Sequence, residues 1–260
     1  MNYKDTERSN EGETLVLAVI NQKGGVGKST TAINLSACLG ELGKKTLVVD
    51  LDPQGNTTSG YGIRKNKISN CIYDAMLHDV PVEDIIQDVD AENVWLIPAT
   101  IQLTGAEIEL VSQMSRESRL ADVITPIKDY FDYVLIDCPP SLGLLTINAL
   151  TAANKLLIPI QCEFYALEGV TKLLDSMKLV KARLNPSLDV FGVVMTMYDG
   201  RTTLARQVIE EVRNFFGDKV FDTYIPRTVK LSEAPGYGEQ SSNIRPTERA
   251  QRHTGNSQRR

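Results

Sequence analysis

The chain has 260 residues, of which 42% are apolar and 23% charged, with a net charge of −5. This length and composition suit one large α/β domain with a real core, and no run approaches the roughly 18 apolar residues typical of a membrane span. Met1 to Thr14 is polar and lacks the pattern of a signal peptide, and the four cysteines lack metal-type spacing, so we expect a disordered N-terminal tail (1–14) and a cytoplasmic protein with reduced thiols.

Short β-branched apolar runs alternate along the chain with longer stretches of helical spacing. The predicted strands are Leu15 to Ile20, Thr46 to Val49, Val94 to Ile97, Tyr133 to Ile136, Lys155 to Pro159 and Val190 to Met195. The predicted helices are Lys28 to Leu42, Glu107 to Tyr130 with a break near Ser115 or Pro126, Ala166 to Leu184, and Leu204 to Phe216. The alternation predicts a doubly wound α/β fold, in which a mostly parallel sheet carries helices on both faces. Ligands of such sheets bind beyond the carboxyl ends of the strands.

A glycine-rich segment follows the first predicted strand and opens the first predicted helix. Its glycines allow a tight turn whose N–H groups point inward at a helix N-terminus, which is the arrangement of a phosphate-binding P-loop. At this spacing Lys28 would reach the β- and γ-phosphates of ATP, Ser29 would ligate Mg²⁺, and Thr30 would contact the α-phosphate. The predicted ATP-binding segment is Lys23, Gly24, Gly25, Val26, Gly27, Lys28, Ser29 and Thr30.

Carboxylates end two other predicted strands. Asp50 and Asp52 follow the second strand, and only one of them can easily face the phosphates. For Asp50 we favour helix capping or a hydrogen bond within the loop. Asp137 ends a buried apolar strand, as expected of a Walker B acid that holds a Mg²⁺-bound water. The prolines after Cys138 would then hold a turn beside the γ-phosphate.

The glycine-rich segment departs from the ordinary P-loop, because Gln22 stands where a glycine is usual and Lys23 follows it. This variant resembles the deviant Walker A motif of the ParA/MinD class, and Asn21-Gln22-Lys23 resembles its partition branch. The resemblance implies that Lys23 reaches the nucleotide of a partner copy, and that Lys23, Lys28 and Asp52 are the catalytic residues. It assigns Asp52 to positioning the attacking water near Mg²⁺, and it places Pro226 beside the adenine.

Four further stretches resemble the Soj-like partition ATPases: Ile97 to Thr100, Leu142 to Ala149, Gln161 to Gly169 and Leu231 to Pro235. The similarity therefore runs from about Leu15 to Glu239, and we take this range as the ATPase domain. The resemblance implies an ATP-dependent homodimer that binds double-stranded DNA without sequence preference, through Arg201 and Lys230. It further implies a nucleoid-associated protein whose hydrolysis is stimulated by a ParB-type centromere-binding partner, with no membrane involved.

The composition changes after residue 239. Residues 241–260 contain five arginines and one acid, and Ile244 and Ala250 are their only apolar residues, so we expect residues 240–260 to be disordered. Permitted codons for residues 249–260, read in another frame, give a sequence that resembles the usual last helix of the family. We therefore hypothesise a frameshift near codon 240, with a basic arm that binds DNA or anionic lipid as the alternative.

Three other functions compete with partition. A MinD-like membrane ATPase that positions cell division would require a C-terminal amphipathic helix with an apolar face, and residues 241–260 show none. An iron–sulfur electron-transfer ATPase would require paired interface cysteines in a glycine-rich context. A P-loop biosynthetic enzyme acting on a small carboxylate would show ATP turnover that depends on that substrate.

Overall fold

The computed structural model describes Tyr3 and residues 12–227. The predicted DNA contact Lys230, the end of the predicted ATPase domain after residue 227, and the tail 240–260 lie outside the described residues, as does most of the segment 1–14. Tyr3 is buried, and its ring stacks on that of Phe131 with 5.6 Å between the centroids.

One sheet organises the described residues. Its strands in chain order are β1 (Leu15–Val19), β2 (Thr46–Asp50), β3 (Gln87–Asp88), β4 (Val94–Ile97), β5 (Tyr133–Asp137), β6 (Lys155–Gln161), β7 (Asp189–Tyr198) and β8 (Val220–Pro226). The spatial order is β3-β4-β2-β5-β1-β6-β7-β8. Every pair is parallel except β3 with β4. The central strands are buried along nearly their whole length, because both faces of the sheet are covered.

Helices connect these strands. They are α1 (Lys28–Glu41), α2 (Asn56–Gly60), α3 (Ile72–Leu77), α4 (Leu103–Glu109), α5 (Arg119–Ile124), α6 (Leu144–Ala152), α7 (Val170–Arg183) and α8 (Thr203–Phe216). Short 3₁₀ turns occur at Lys65–Lys67, Val82–Asp84, Leu110–Ser112, Lys128–Tyr130 and Gly217–Lys219. Among the described residues, no helix has the length and apolar character needed to cross a bilayer.

The predicted fold class is confirmed, and all six predicted strands are present within a few residues of their expected bounds. The helical stretch from Glu107 to Tyr130, predicted with a break near Ser115 or Pro126, is broken at both places. Residues 113–118 interrupt it, and Ser115 there adopts a positive φ of 52°. The second half ends before Pro126, which has no backbone N–H to continue the helical hydrogen bonds.

The helix predicted from Ala166 begins later, at Val170. Gly169 precedes it with φ +80°, a left-handed conformation that glycine adopts without steric cost. A side chain at position 169 would also approach the Oε1 atom of Gln22 to 2.9 Å. The start of α7 is therefore fitted to the segment that leads into the glycine-rich loop.

Asn185 joins α6 and α7 to the sheet. It is buried, and its Nδ2 atom donates to the carbonyl oxygens of Leu150, Thr151 and Ala153 at 2.6 to 3.1 Å. These carbonyls belong to the end of α6, where helical carbonyl groups lack partners within the helix. One side chain thus satisfies the C-terminal end of α6 before β6 begins.

We expect Asn185→Ala to lower the free energy of unfolding by roughly 1 to 3 kcal/mol, because buried carbonyl groups lose their hydrogen-bond donor. Urea denaturation measures the change. Asn214→Ala, on the exposed face of α8, is the matched control and should change stability by less than about 0.5 kcal/mol. Equal effects of the two substitutions would contradict this assignment.

Candidate functional site

The loops that follow β1, β2 and β5 meet at the carboxyl edge of the sheet. They border a cavity of about 500 Å³, a size that is ordinary for a small-molecule site. The residues lining it are Gly24, Gly25, Gly27, Lys28, Ser29, Thr30, Ile33, Asp52, Gln54, Asn56, Ser59, Pro140 and Met197. Most of the predicted phosphate-binding segment and Asp52 therefore come together around one space.

The loop between β1 and α1 has the backbone of an anion site. Gly25 and Gly27 adopt φ values of +75° and +89°, and α1 begins directly afterwards at Lys28. Within the described chain, no side chain caps the first turn of α1. Its N–H groups and the positive end of the helix are thus directed toward the cavity, as in phosphate-binding loops.

Contacts with neighbouring strands hold this loop in place. The Thr196 hydroxyl, on β7, donates to the carbonyl oxygen of Val26 at 2.8 Å. The Asn21 side chain donates to the carbonyl oxygen of Pro159 on β6 at 2.8 Å and accepts from the Lys23 N–H at 3.0 Å. Val26 is itself buried, so it shapes the loop through its backbone and does not line the cavity.

Lys28 is the cation of the cavity. Its side chain is 7% exposed, and its Nζ atom donates to the Lys23 carbonyl oxygen at 3.2 Å. Burial lowers the pKa of Lys28, while the charges of Asp137 and Asp52 oppose that shift. An ammonium group held in this way can bind a phosphate oxygen at short range.

Asp50 and Asp137 are neighbours on adjacent strands and are both fully buried. Asp50 Oδ2 accepts from the backbone N–H and the hydroxyl of Thr58, both at 2.7 Å, and Oδ1 accepts from the Asp52 N–H at 3.2 Å. The expected loop hydrogen bond of Asp50 is therefore present. Burial, reinforced by the charge of Asp137, raises the pKa of Asp50.

Asp137 is the less satisfied carboxylate of the pair. Its Oδ2 atom accepts from the Thr57 hydroxyl at 2.7 Å, whereas Oδ1 is buried without a hydrogen-bond partner among the described residues. Burial raises the pKa of Asp137, and Ser29, Thr57 and Lys28 act against that shift. The vacant carboxylate oxygen and the Ser29 hydroxyl are oxygen donors of the kind that Mg²⁺ prefers.

The residues present fit a magnesium ion that a nucleotide would share. No cluster of three or more His, Cys, Asp or Glu side chains suited to a metal occurs in the described part of the chain. Mg²⁺ commonly uses one or two protein groups together with water and substrate phosphates. Asp52 lies close by, where its Oδ1 atom accepts from the Gln54 N–H at 2.9 Å.

Five of the described predicted site residues are not part of the cavity lining: the buried Val26 and Asp137, and the more exposed Lys23, Pro226 and Arg201. The Lys23 side chain is 39% exposed, and its Nζ atom lies 3.8 Å from Glu163 Oε2. Pro226 ends β8, exposed and paired in register with Tyr198. Arg201 is 90% exposed and forms a two-pronged ion pair with Asp199, at 2.9 and 2.7 Å.

The sequence patterns missed several residues that build the site. Thr57 and Thr58 hold the buried carboxylates. Two adjacent threonines after Gly55, which precedes α2 with φ +59°, were the available signal. Met197, which from the sequence we expect to fill core or nucleotide-side space, lines the cavity and has a positive φ of 51°.

The sequence of this chain is similar to a protein-family model and to two bacterial proteins. A family model described as an AAA domain matches residues 14–190. The sporulation initiation inhibitor protein Soj of Bacillus subtilis (strain 168) is 57% identical over 224 residues, which are 86% of this chain and 88% of that protein. The chromosome partitioning protein ParA of Myxococcus xanthus (strain DK1622) is 51% identical over 224 residues, covering 86% and 79%.

One solved structure that is similar to this chain is of a biosynthetic enzyme. The cobyrinic acid a,c-diamide synthase from Mycobacterium smegmatis, with bound ADP and magnesium, aligns with a TM-score of 0.80 and 40% identity. The alignment covers 87% of this chain and 93% of that one. The fold of this chain thus agrees with that of a protein solved with ADP and magnesium.

We expect Asp137→Asn to stabilise the nucleotide-free chain by on the order of 1 to 3 kcal/mol, because it removes a buried charge from beside Asp50. The raised pKa of Asp137 means that its ionisation favours the unfolded chain. The stabilising contribution of the protonated carboxyl group is therefore present below the unfolded pKa of about 4 and is lost as pH rises through the folded pKa.

Thermal unfolding between pH 5 and pH 8, at about one-unit steps, tests this expectation. The wild-type chain should lose more stability over this range than Asp137→Asn does. Asp218→Asn, at an exposed position, should follow the wild-type profile. A nucleotide-free Asp137→Asn chain that is less stable than the wild type at pH 8 would refute the interpretation.

Proposed function

The chain belongs to the ParA/Soj family of chromosome partitioning proteins, and on that premise we propose that it is an ATPase that dimerises on ATP and binds DNA in that state. A ParB-type partner then stimulates hydrolysis, and the cycle segregates a chromosome or plasmid in the nucleoid region of the cytoplasm. The observation that carries the proposal is the cavity in which the phosphate loop, Lys28 and Asp52 meet.

ATP is the substrate that this cavity supports best. The N–H groups of the loop and the start of α1 bind its phosphates, and Lys28 neutralises their charge. Mg²⁺, when bound beside Ser29 and Asp137, supplies additional positive charge for the phosphate oxygens. Asp52 orients the attacking water, since it is a carboxylate on the cavity wall with one oxygen already fixed by the Gln54 N–H.

A single copy holds only part of the catalytic charge in this proposal. Lys23 does not line the cavity of its own chain, and its ammonium group is partly exposed. A cation that is delivered only when a second copy docks would stabilise the transition state without binding the free nucleotide equally well. Hydrolysis would then depend on dimerisation.

DNA binding is assigned to Arg201 and Lys230, the positions that the family resemblance indicates. The guanidinium group of Arg201 is exposed but already engaged by Asp199. Asp199 is held in its charged form, since the hydrogen bonds from Arg201 lower its pKa to about 2. A DNA phosphate must therefore compete with the Asp199 carboxylate for Arg201. Each copy would then contact DNA weakly, and binding would gain strength from several copies acting together.

A biosynthetic enzyme is the second candidate, and the name of the 40% identical synthase favours it. ATP turnover separates the two functions. We expect turnover to rise more with duplex DNA and a ParB-type protein together than the sum of their separate effects. Turnover that responds to a small carboxylate substrate instead, and not to DNA or the partner, would reject the partition assignment.

A MinD-like activity is tested in the same series by adding anionic vesicles. Vesicle-dependent turnover without a response to DNA would support that function in place of partition. The segment that such binding requires falls outside the described residues, so the full chain is needed for this measurement.

We expect Asp52→Ala to bind ATP and dimerise but to hydrolyse ATP at least roughly a hundredfold more slowly. This is the range typical for loss of a general acid–base group. Light scattering measures the dimer, and phosphate release measures turnover. Asp175→Ala, at an exposed position on α7, should match the wild type. Unchanged turnover in Asp52→Ala would refute the role.

We expect Arg201→Ala to weaken duplex binding for every DNA sequence and to reduce the slope of log K against log salt by about one per copy. ATP-driven dimerisation should stay unchanged. Arg206→Ala, an exposed arginine on α8, is the control and should alter the slope less. Loss of dimerisation in Arg201→Ala would reject its assignment to DNA.

A further inference from the structure

The segment between β5 and α6 connects the nucleotide cavity to the start of α6. It starts after Asp137 and ends at Gly143, and Pro140 within it lines the cavity. The N–H of Cys138 is fixed by the Val19 carbonyl oxygen at 3.2 Å. Residues 140 and 141 are exposed, so the position of Pro140 depends on how firmly the two ends of the segment are anchored.

The far end of this segment is the start of α6. The residue before the helix is Gly143, and it has no side chain with which to cap the first turn. The first N–H groups of a helix lack intrahelical partners and require acceptors from elsewhere. The cap of α6 must therefore come from another part of the molecule.

Glu107 of α4 supplies this cap. Its Oε2 atom accepts from the Leu144 N–H at 3.0 Å, and its Oε1 atom accepts from the Leu145 N–H at 3.4 Å. A carboxylate at a helix N-terminus gains from both the hydrogen bonds and the helix dipole. The contact joins α4 to a helix 37 residues further along the chain.

The fit between Glu107 and Gly143 is close. A Cβ atom at position 143 would lie 2.3 Å from both carboxylate oxygens of Glu107, far inside van der Waals contact. The Thr146 hydroxyl adds a second anchor, since it donates to the Ser141 carbonyl oxygen at 2.6 Å. Any side chain at position 143 would therefore displace the carboxylate from the start of α6.

We propose that Glu107 is a positioning residue for ATP hydrolysis, acting through its cap on α6 to hold Pro140 and the segment after Asp137 against the nucleotide cavity. The inference rests on the proposed ATPase function. Glu107 does not touch the cavity, whereas the phosphate loop that binds ATP is anchored independently on β6 and β7. Loss of the cap should thus slow turnover more than it weakens ATP binding.

Two substitutions remove the cap by different routes. Glu107→Ala deletes the carboxylate, and Gly143→Ala displaces it while leaving it in the chain. We expect each to lower kcat roughly tenfold, in line with the value of a helix cap, with the KM for ATP changed less than about twofold. The double variant should be no slower than the slower single variant, since both changes remove the same contact.

Glu107→Gln retains one acceptor oxygen and the shape of the side chain but loses the second acceptor and the charge, so it should recover part of the turnover lost in Glu107→Ala. Glu109→Ala is the matched control, because Glu109 lies on the same helix and contacts the exposed Tyr73 hydroxyl. It should match the wild type in kcat and KM. Hydrogen exchange at the Leu144 and Leu145 amides should be roughly tenfold faster in Glu107→Ala, which reports loss of the cap directly.

The outcomes separate the inference from the function on which it rests. Faster exchange at Leu144 and Leu145 with an unchanged kcat would overturn the positioning role and leave the ATPase assignment intact. A parallel loss of kcat and ATP affinity, or additive losses in the double variant, would also overturn it. A wild-type chain that fails to turn over ATP with DNA and partner would overturn the proposed function itself.

Discussion

Two carboxylates held side by side in the interior set the conditions for the rest of the site. Asp50 and Asp137 occupy adjacent strands at the same level and are both excluded from solvent. Their repulsion and desolvation are offset by hydroxyl and N–H groups from α2 and by the buried ammonium of Lys28. A site that concentrates negative charge in this way is prepared for a cation, at some cost to the stability of the empty protein.

Hydrogen bonds of the same kind also connect the loops at the carboxyl edge of the sheet. The Thr58 hydroxyl donates to Asp50 and accepts from the Ala99 N–H at 3.0 Å, so that the loop after β2 is tied to the loop after β4. On the other side, Asn21 and Thr196 tie the phosphate loop to β6 and β7. The loops around the cavity are therefore held from both sides, and the geometry of the cavity depends partly on β4 and β6, which contribute no lining residue.

The sequence was most informative where a local rule decides the structure. Central strands such as β5 could be predicted because they are continuous apolar runs. The phosphate loop could be predicted because its glycines and Lys28 have a fixed spacing. It was least informative where tertiary contacts decide. The helix α6 is apolar all round and has no amphipathic period, and β8 is mostly exposed despite its apolar residues. The contact in which Glu107 caps α6 could not be predicted, because the two residues that it joins are 37 positions apart in the chain. The roles proposed for Lys23 and Pro226 involve a bound nucleotide or a second copy, and the fold of one chain does not decide them.

The short antiparallel strand β3 has a consequence for how copies of this chain can assemble. It forms one edge of the sheet with only Gln87 and Asp88, and Asp88 is exposed. An edge so short and acidic gives an incoming strand too few ladder positions to nucleate on, which is how natural sheets resist edge-to-edge aggregation. Contacts between copies of this chain at this edge of the sheet would therefore have to be made by side chains and not by an extended ladder of backbone hydrogen bonds.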